Sequence, residues 1–217
     1  MERRKVAFVT GASRGIGRAC AISLAQAGYD VAVSARTMVD GTAFLDDAIT
    51  PVPGGLDSTV EKINETGQEG FPIHMDLLDR KSVLQAADSA LAHFGHIDVL
   101  LNNAIYQGPG AMLTIEELED TYVNQLFEGN VFAQLALIRH LLPEFIKQGG
   151  ATVVNMISAT AFTNPPGKIG SGGWGVGYAM TKSAFERIAP LLMIEHGADG
   201  IVTYNIDPGH VITERQK

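Results

Sequence analysis

Val6-Ala7-Phe8-Val9-Thr10, running directly into Gly11-Ala12-Ser13-Arg14-Gly15-Ile16-Gly17, is the stretch that decides how the rest of the chain is read. A short apolar, β-branched run that stops at closely spaced glycines has the pattern of a buried strand ending in a tight turn. Behind the glycines Ile16, Ala19, Ile22 and Ala27 recur at helical spacing, and Gly28 stands where a helix C-terminus belongs. Glycines at such a turn let backbone approach a ligand, and the helix behind aims free N–H groups and a positive dipole end at it. A phosphate is the ligand that suits this geometry. The spacing is G-x-x-x-G-x-G, not the generic dinucleotide fingerprint G-x-G-x-x-G, so the turn alone also fits an ordinary strand–helix connection.

Outward from this turn, strand and helix patterns alternate. Tyr29 to Ala35 reads as an interior strand closed by Arg36, and Phe71 to Met75 as a third strand ending at Asp76. Leu77 to Phe94 reads as a helix with Asp79 as N-cap. Ile97 to Leu101 reads as a strand leading into Asn102-Asn103-Ala104. Thr114 to Gln148 reads as one long helical segment interrupted at Gly129-Asn130, with Leu126, Val131, Leu135, Ile138 and Leu142 as its core positions. Ala151 to Ser158, a helix over Trp174 to His196, and a strand over Ile201 to Ile206 complete the series. The stretch Thr37 to Gly55, with Pro51, Pro53 and Gly54-Gly55, reads as a loop insertion, followed by a helix from Leu56 to Gly67. Strands alternating with helices and no hairpin signal imply βαβ units and a parallel sheet, with all strand C-termini on one edge. Without a repeat, linker or low-complexity tract, residues 1–217 read as a single domain.

Composition narrows the function classes. The 217 residues are 46% hydrophobic and 18% charged, ordinary values for a globular protein with a sizeable core. A net charge of −8 argues against coating nucleic acid or a membrane surface. The N-terminal Met1-Glu2-Arg3-Arg4-Lys5 leads into an apolar run too short for a signal peptide or a span, so a cytoplasmic location is expected. Cys20 is the one cysteine, which leaves no disulfide framework and no thiolate cluster, and the six histidines show no ligand spacing.

Three signals carry chemistry. The second strand ends in Ser34-Ala35-Arg36 with no carboxylate, and Arg14 lies inside the glycine turn. Where an acid would bond ribose hydroxyls, two guanidiniums converging on a 2′-phosphate favour NADP over NAD, hence NADPH over NADH. Tyr178 and Lys182 stand one helical turn apart on one face. A phenol titrates near 10, and a neighbouring ammonium favours its ionised form, which suits proton exchange with an alcohol oxygen beside a nicotinamide. Ser158, at the end of a strand on the same edge, offers a hydroxyl to that oxygen.

Taken together, Thr10 with the GASRGIG turn, Asp76, Asn102-Asn103-Ala104, Asn130, Ser158, Tyr178-AMT-Lys182 and Pro208-Gly209-HVI-Thr213 make the chain resemble the short-chain dehydrogenases/reductases over nearly its whole length. The resemblance implies an α/β fold with a doubly wound, Rossmann-like parallel sheet. The implied activity is an NADP-dependent oxidoreductase that interconverts a small-molecule carbonyl and a secondary alcohol. By that likeness Tyr178 is the general acid/base, Lys182 binds the nicotinamide ribose and tunes Tyr178, Ser158 orients the substrate oxygen, and Asn130 anchors a relay water. Cofactor contacts would come from Gly11, Ser13, Arg14, Gly15, Ile16 and Gly17 at the turn. Further contacts would come from Arg36, Asp76 and Asn103, from Tyr178 and Lys182, and from Pro208, Gly209, Val211 and Thr213. A homo-tetramer or homo-dimer through the helices holding Asn130 and Tyr178 is also implied. The chain departs from the family at Ile105, where glycine is usual, at Ile157, where a second serine is common, and in the long Ala159–Gly177 loop. Family members continue past the counterpart of Thr213 with a helical lid and a last strand, both apparently lacking in a sequence whose last residue is Lys217; either the chain is truncated or partly visible, or its pocket is unusually open. Tyr106, Phe162 and Trp174 are expected to line an apolar substrate site. A cofactor-binding regulatory or scaffold protein without turnover is the alternative from a different class.

Overall fold

Each apolar run read from the sequence becomes a strand of one parallel sheet. The computed structural model describes residues 3–44 and 50–214. In chain order the elements are β1 (Lys5–Thr10), α1 (Gly15–Gln26), β2 (Tyr29–Ala35), β3 (Ala43–Phe44), β4 (Pro51–Val52), α2 (Leu56–Asn64), β5 (Gly70–His74) and α3 (Arg80–Phe94). They continue with β6 (Val99–Asn102), α4 (Asp120–Phe127), a π turn (Glu128–Phe132), α5 (Ala133–Lys147), β7 (Ala151–Met156), α6 (Val176–Glu186), α7 (Ile188–His196) and β8 (Ile201–Ile206). The sheet order is β5-β2-β1-β6-β7-β8, with every pairing parallel. Strand order therefore reverses between β1 and β6, and the crevice opened there is where ligands bind in such sheets.

Alternation along each strand feeds two cores. Phe8 faces a cluster closed by Val83, Ala86 and Ala90 of α3 and by Leu137, Leu141 and Phe145 of α5. Ala7 and Val9 face the opposite side, against Ala21 and Ala25 of α1 and Leu56 and Ile63 of α2. Caps follow the sequence reading. Asp79 accepts from the Lys81 and Ser82 backbone N–H groups, and Gly28, at φ 93°, closes α1 by donating to the Ala25 carbonyl.

Several boundaries move. The insertion expected to be loop over Thr37–Gly55 contains the antiparallel pair β3 and β4; Leu45 to Ile49, between them, lie outside the described residues. Thr114 to Glu119 is turn, so α4 starts only at Asp120, and the expected helix over Trp174–His196 begins at Val176 and breaks at Arg187. The long helical segment widens at the π turn, where the Ala133 N–H reaches the Glu128 carbonyl five residues back. Of the core positions read from the sequence, Leu126, Val131 and Ile138 are buried, whereas Leu135 and Leu142 are half-buried; Leu137, Leu141 and Phe145 are fully buried beside Ile138. Leu137→Ala is expected to cost about 2–5 kcal/mol in urea unfolding, and Leu135→Ala less than about half as much. Equal losses would contradict this difference in burial.

Candidate active site

The C-terminal ends of the parallel strands gather along one edge, and a cleft of about 660 Å³ runs beside them. Following the sheet order, this edge carries Asp76 after β5, Arg36 after β2, the glycine turn after β1, Asn103 after β6, Ser158 after β7 and Pro208 after β8. All of these line the cleft, as do Gly11, Ser13, Arg14, Gly15, Ile16 and Gly17 of the turn. Tyr178 at the start of α6 and the Gly209, Val211 and Thr213 stretch complete its walls.

The turn is built by close contact. A Cβ on Gly17 would overlap the Gly11 carbonyl oxygen and Asn103 Nδ2, so only glycine fits. Asn103 Nδ2 donates to the Thr10 and Gly11 carbonyls at 2.9 and 3.1 Å, and Thr10 Oγ1 accepts from the Asn103 and Ala104 N–H groups, both at 3.0 Å. Asn103, expected as a cofactor contact, thus spends its amide N–H groups on holding the turn. α1 has no side-chain cap of its own and no acid in its first turn. The Gly15 N–H instead donates to Glu214 Oε2 at 2.9 Å, a carboxylate from the far end of the chain.

Arg14 and Arg36 both line this cleft, and both also border a second cavity of about 530 Å³ walled by Ala43, Phe44 and Val52 of the β3–β4 pair. Arg14 is not freely mobile. Its Nε and Nη2 donate to the Pro53 and Gly54 carbonyls at 3.0 and 2.7 Å, so the insertion holds the guanidinium in a fixed plane. Arg36 is exposed.

Two expected catalytic residues lie behind the wall. Asn130 is buried in the π turn, accepting from the Tyr106 N–H at 2.7 Å and donating to the Tyr106 carbonyl at 3.0 Å. Its side chain clamps the 104–107 loop that borders the cleft. Lys182, 7% exposed, donates from Nζ to the Met156 carbonyl at 2.6 Å. Burial pulls its pKa down to about 8, partly offset by the Asp207 carboxylate. Ser158 Oγ caps the short turn Ala159–Ala161, accepting weakly from the Thr160 N–H at 3.4 Å.

Tyr106 and Trp174 line the cleft as expected, but Phe162 does not: it is 66% exposed. His210 also lies in the wall. The sequence reading missed Gln134 and Glu214. Gln134, fully buried, donates to the Ala104 carbonyl at 2.8 Å; a polar residue one turn after Asn130 in an apolar helix was its available signal. Glu214 had none, because its partner is 199 positions away. No helix among the described residues is long and apolar enough to cross a membrane, and no group of metal-ligating side chains is found among them.

Known proteins place this geometry. The short chain dehydrogenase family model matches residues 5–217. The short chain dehydrogenase mpl6 of Monascus purpureus is 32% identical over 216 residues, which cover 98% of this chain and 67% of that protein. A short-chain dehydrogenase from Streptomyces avermitilis superposes with a TM-score of 0.78 at 28% identity, over 98% of this chain and 68% of the other. An alcohol dehydrogenase from the archaeon Thermococcus sibiricus, solved with 5-hydroxy-NADP, gives 0.76 at 29% identity, over 95% and 77%.

Two measurements check the geometry. Gly17→Ala is expected to lower stability by about 1–3 kcal/mol through overpacking at the turn; an unchanged melting temperature would contradict the close contact. Lys182 titrates lower in the folded chain than in the unfolded one, whose lysines titrate near 10.4. Between about pH 8 and that value the unfolded chain binds more protons, so this group makes stability rise with pH there. Lys182→Met should flatten that rise, read as the difference between the two chains' urea midpoints across the range.

Proposed function

The chain belongs to the short-chain dehydrogenase/reductase family, oxidoreductases that use nicotinamide cofactors on CH–OH and carbonyl groups, and from that premise we propose an NADP-dependent enzyme that interconverts a carbonyl and a secondary alcohol with Tyr178 as its general acid/base. The observation that carries this reading is the single cleft shared by the glycine turn, Arg14, Arg36, Ser158 and Tyr178. Its donor set fits a dinucleotide. The Gly15 N–H at the start of α1, which has no partner within the helix, already engages an anion, the Glu214 carboxylate, as it would a pyrophosphate oxygen. Arg14 and Arg36 supply the charge for a 2′-phosphate. The relative from Thermococcus sibiricus solved with 5-hydroxy-NADP supports the same choice.

When bound, the nicotinamide donates or accepts the hydride. The chain's own residues handle the proton and the oxygen. Tyr178 Oη gives its proton to, or takes it from, the substrate oxygen, and Ser158 Oγ donates a hydrogen bond that orients that oxygen. Lys182, below its pKa of about 8 and so mostly protonated at neutral pH, places a cation one helical turn from the phenol. Asn130 and Gln134 fix the 104–107 loop by its backbone, and that loop brings Tyr106 and Gln107 into the wall. Trp174 and Ile157 give the wall apolar surface for a small-molecule carbonyl compound.

We read residues 1–217 as one catalytic domain acting in the cytoplasm. Exposed Phe132 and Met180 on the helices holding Asn130 and Tyr178 support assembly as a homo-dimer or homo-tetramer.

The first test is a fluorescence titration with NADPH and with NADH. NADPH is expected to bind at least about tenfold more tightly, and Arg36→Asp to remove that preference while sparing NADH. Equal affinities would overturn the two-arginine reading. Tyr178→Phe is expected to keep NADPH binding and lose about 10²–10⁴ in turnover of a generic ketone. A wild-type chain that binds NADPH yet turns over no carbonyl would instead favour a regulatory binding protein.

A further inference from the structure

We propose that Asp40 is a positioning residue for Arg14, and that through it the Thr37–Gly55 insertion sets the preference for a 2′-phosphate. This rests on the reading that Arg14 meets the 2′-phosphate of NADP. The Pro53 carbonyl and the Gly54 N–H are the two ends of one planar peptide unit. Arg14 Nε donates to the first of them at 3.0 Å, and Asp40 Oδ1 accepts from the second at 2.6 Å. Arg14 Nη2 donates to the next carbonyl, that of Gly54, at 2.7 Å. The N–H groups of a guanidinium form a rigid planar fork, so two bonds to the fork fix the direction of the rest of it. Asp40 is held in turn: its own N–H donates to both oxygens of Asp57, at 3.0 and 3.1 Å. A series of contacts thus runs from Asp57, at the start of α2, through Asp40 and the 53–54 peptide to the guanidinium in the glycine turn.

Close packing keeps this series in one arrangement. A Cβ on Gly54, at φ 106°, would overlap the Ser13 carbonyl oxygen and Arg14 Cβ, and one on Gly55 would overlap the Asp40 nitrogen and Asp57 Oδ1. The end of the insertion is therefore laid backbone to backbone on the turn. Its neck closes without the Asp40 carboxylate. The Leu56 and Asp57 N–H groups donate to the Thr37 and Met38 carbonyls at 3.1 and 3.0 Å, and buried Thr59 donates from Oγ1 to the Ala12 carbonyl at 2.9 Å. Asp40 itself is exposed. Removing its carboxylate leaves the fold closed and frees only the peptide that aims Arg14. Guanidinium binds phosphate through directional, charge-assisted bonds, so a misdirected Arg14 loses affinity for the 2′-phosphate. NADH carries a hydroxyl there and offers the guanidinium no charged partner.

The test titrates wild type, Asp40→Ala, Asp40→Asn, Arg14→Leu and the double variant Asp40→Ala/Arg14→Leu with NADPH and with NADH by nicotinamide fluorescence, with thermal melts alongside. Asp40→Ala is expected to weaken NADPH about 5- to 20-fold and to change NADH by less than about twofold. Asp40→Asn keeps an Oδ1 acceptor and is expected to stay near wild type. In the double variant the Asp40→Ala change adds nothing to the loss caused by Arg14→Leu, because it acts only through that guanidinium. Asp57→Ala, one link further back, is expected to move the preference the same way by a smaller factor, and it carries the test should Asp40→Ala fail to fold. An equal loss of both cofactors in Asp40→Ala, or losses that add in the double variant, would overturn the proposal. If wild type prefers NADPH and Asp40→Ala keeps that preference, the positioning role falls and the NADP reading survives. Equal affinities in wild type would remove both.

Discussion

The structure depends on the joint between the ends of β1 and β6. There Thr10 and Asn103 exchange hydrogen bonds with each other's backbone, and Asn103 reaches on to the Gly11 carbonyl. The joint sits where strand order reverses, between the two halves of the sheet. It serves two ends at once: it ties β1 to β6 beyond their last paired residues, and it shapes the turn that presents the N-terminus of α1 to the cleft. Gly17 has no room for a side chain because this joint fills the space. Architecture and anion-binding geometry are therefore one set of contacts, and a change that loosens one loosens the other.

Behind the edge a second buried polar layer continues the pattern. Asn102, Asn155 and Asn205 are in register across β6, β7 and β8, and Asn102 donates to Asn155 at 3.0 Å. Asn130 and Gln134 do the same service one layer out, each bonded to backbone of the 104–107 loop. Buried amides of this kind contribute modestly when paired and cost more when orphaned, so they specify one arrangement of loop and strand more than they add stability. Lys182 belongs to the same class: its amine is desolvated and tied to the Met156 carbonyl, on the strand that leads to Ser158.

Much of this was legible in the sequence, because it rests on local patterns. The strand over Tyr29–Ala35, the Asp79 cap and the Gly28 stop need only neighbouring residues to be read, and the gathering of Ser158, Tyr178 and the glycine turn follows from parallel strands. What was not legible depends on partners distant in sequence or on small departures from ideal geometry. The π turn widens the helix by one residue, a departure that a period of 3.6 residues does not encode, and Leu137 and Leu141, which were not among the expected core positions, are buried more fully than Leu135 and Leu142. That the insertion holds the Arg14 guanidinium in place, through the Pro53 and Gly54 carbonyls, has no local signal either. Phe162 is aromatic and close to Ser158 in sequence, yet it faces solvent.

The π turn also bears on how this chain tolerates length changes. A π turn is equivalent to one residue inserted into an α-helix. Losing any one residue between Glu128 and Phe132 would let α4 and α5 join as a regular helix, a change the backbone itself would accept readily. It would also rotate everything upstream by about 100° relative to everything downstream. Asn130 would then leave the Tyr106 backbone, while Gln134, on the downstream side, kept its hold on Ala104. A one-residue deletion over these five positions would therefore cost the cleft one clamp of its 104–107 loop while leaving an unbroken helix behind it.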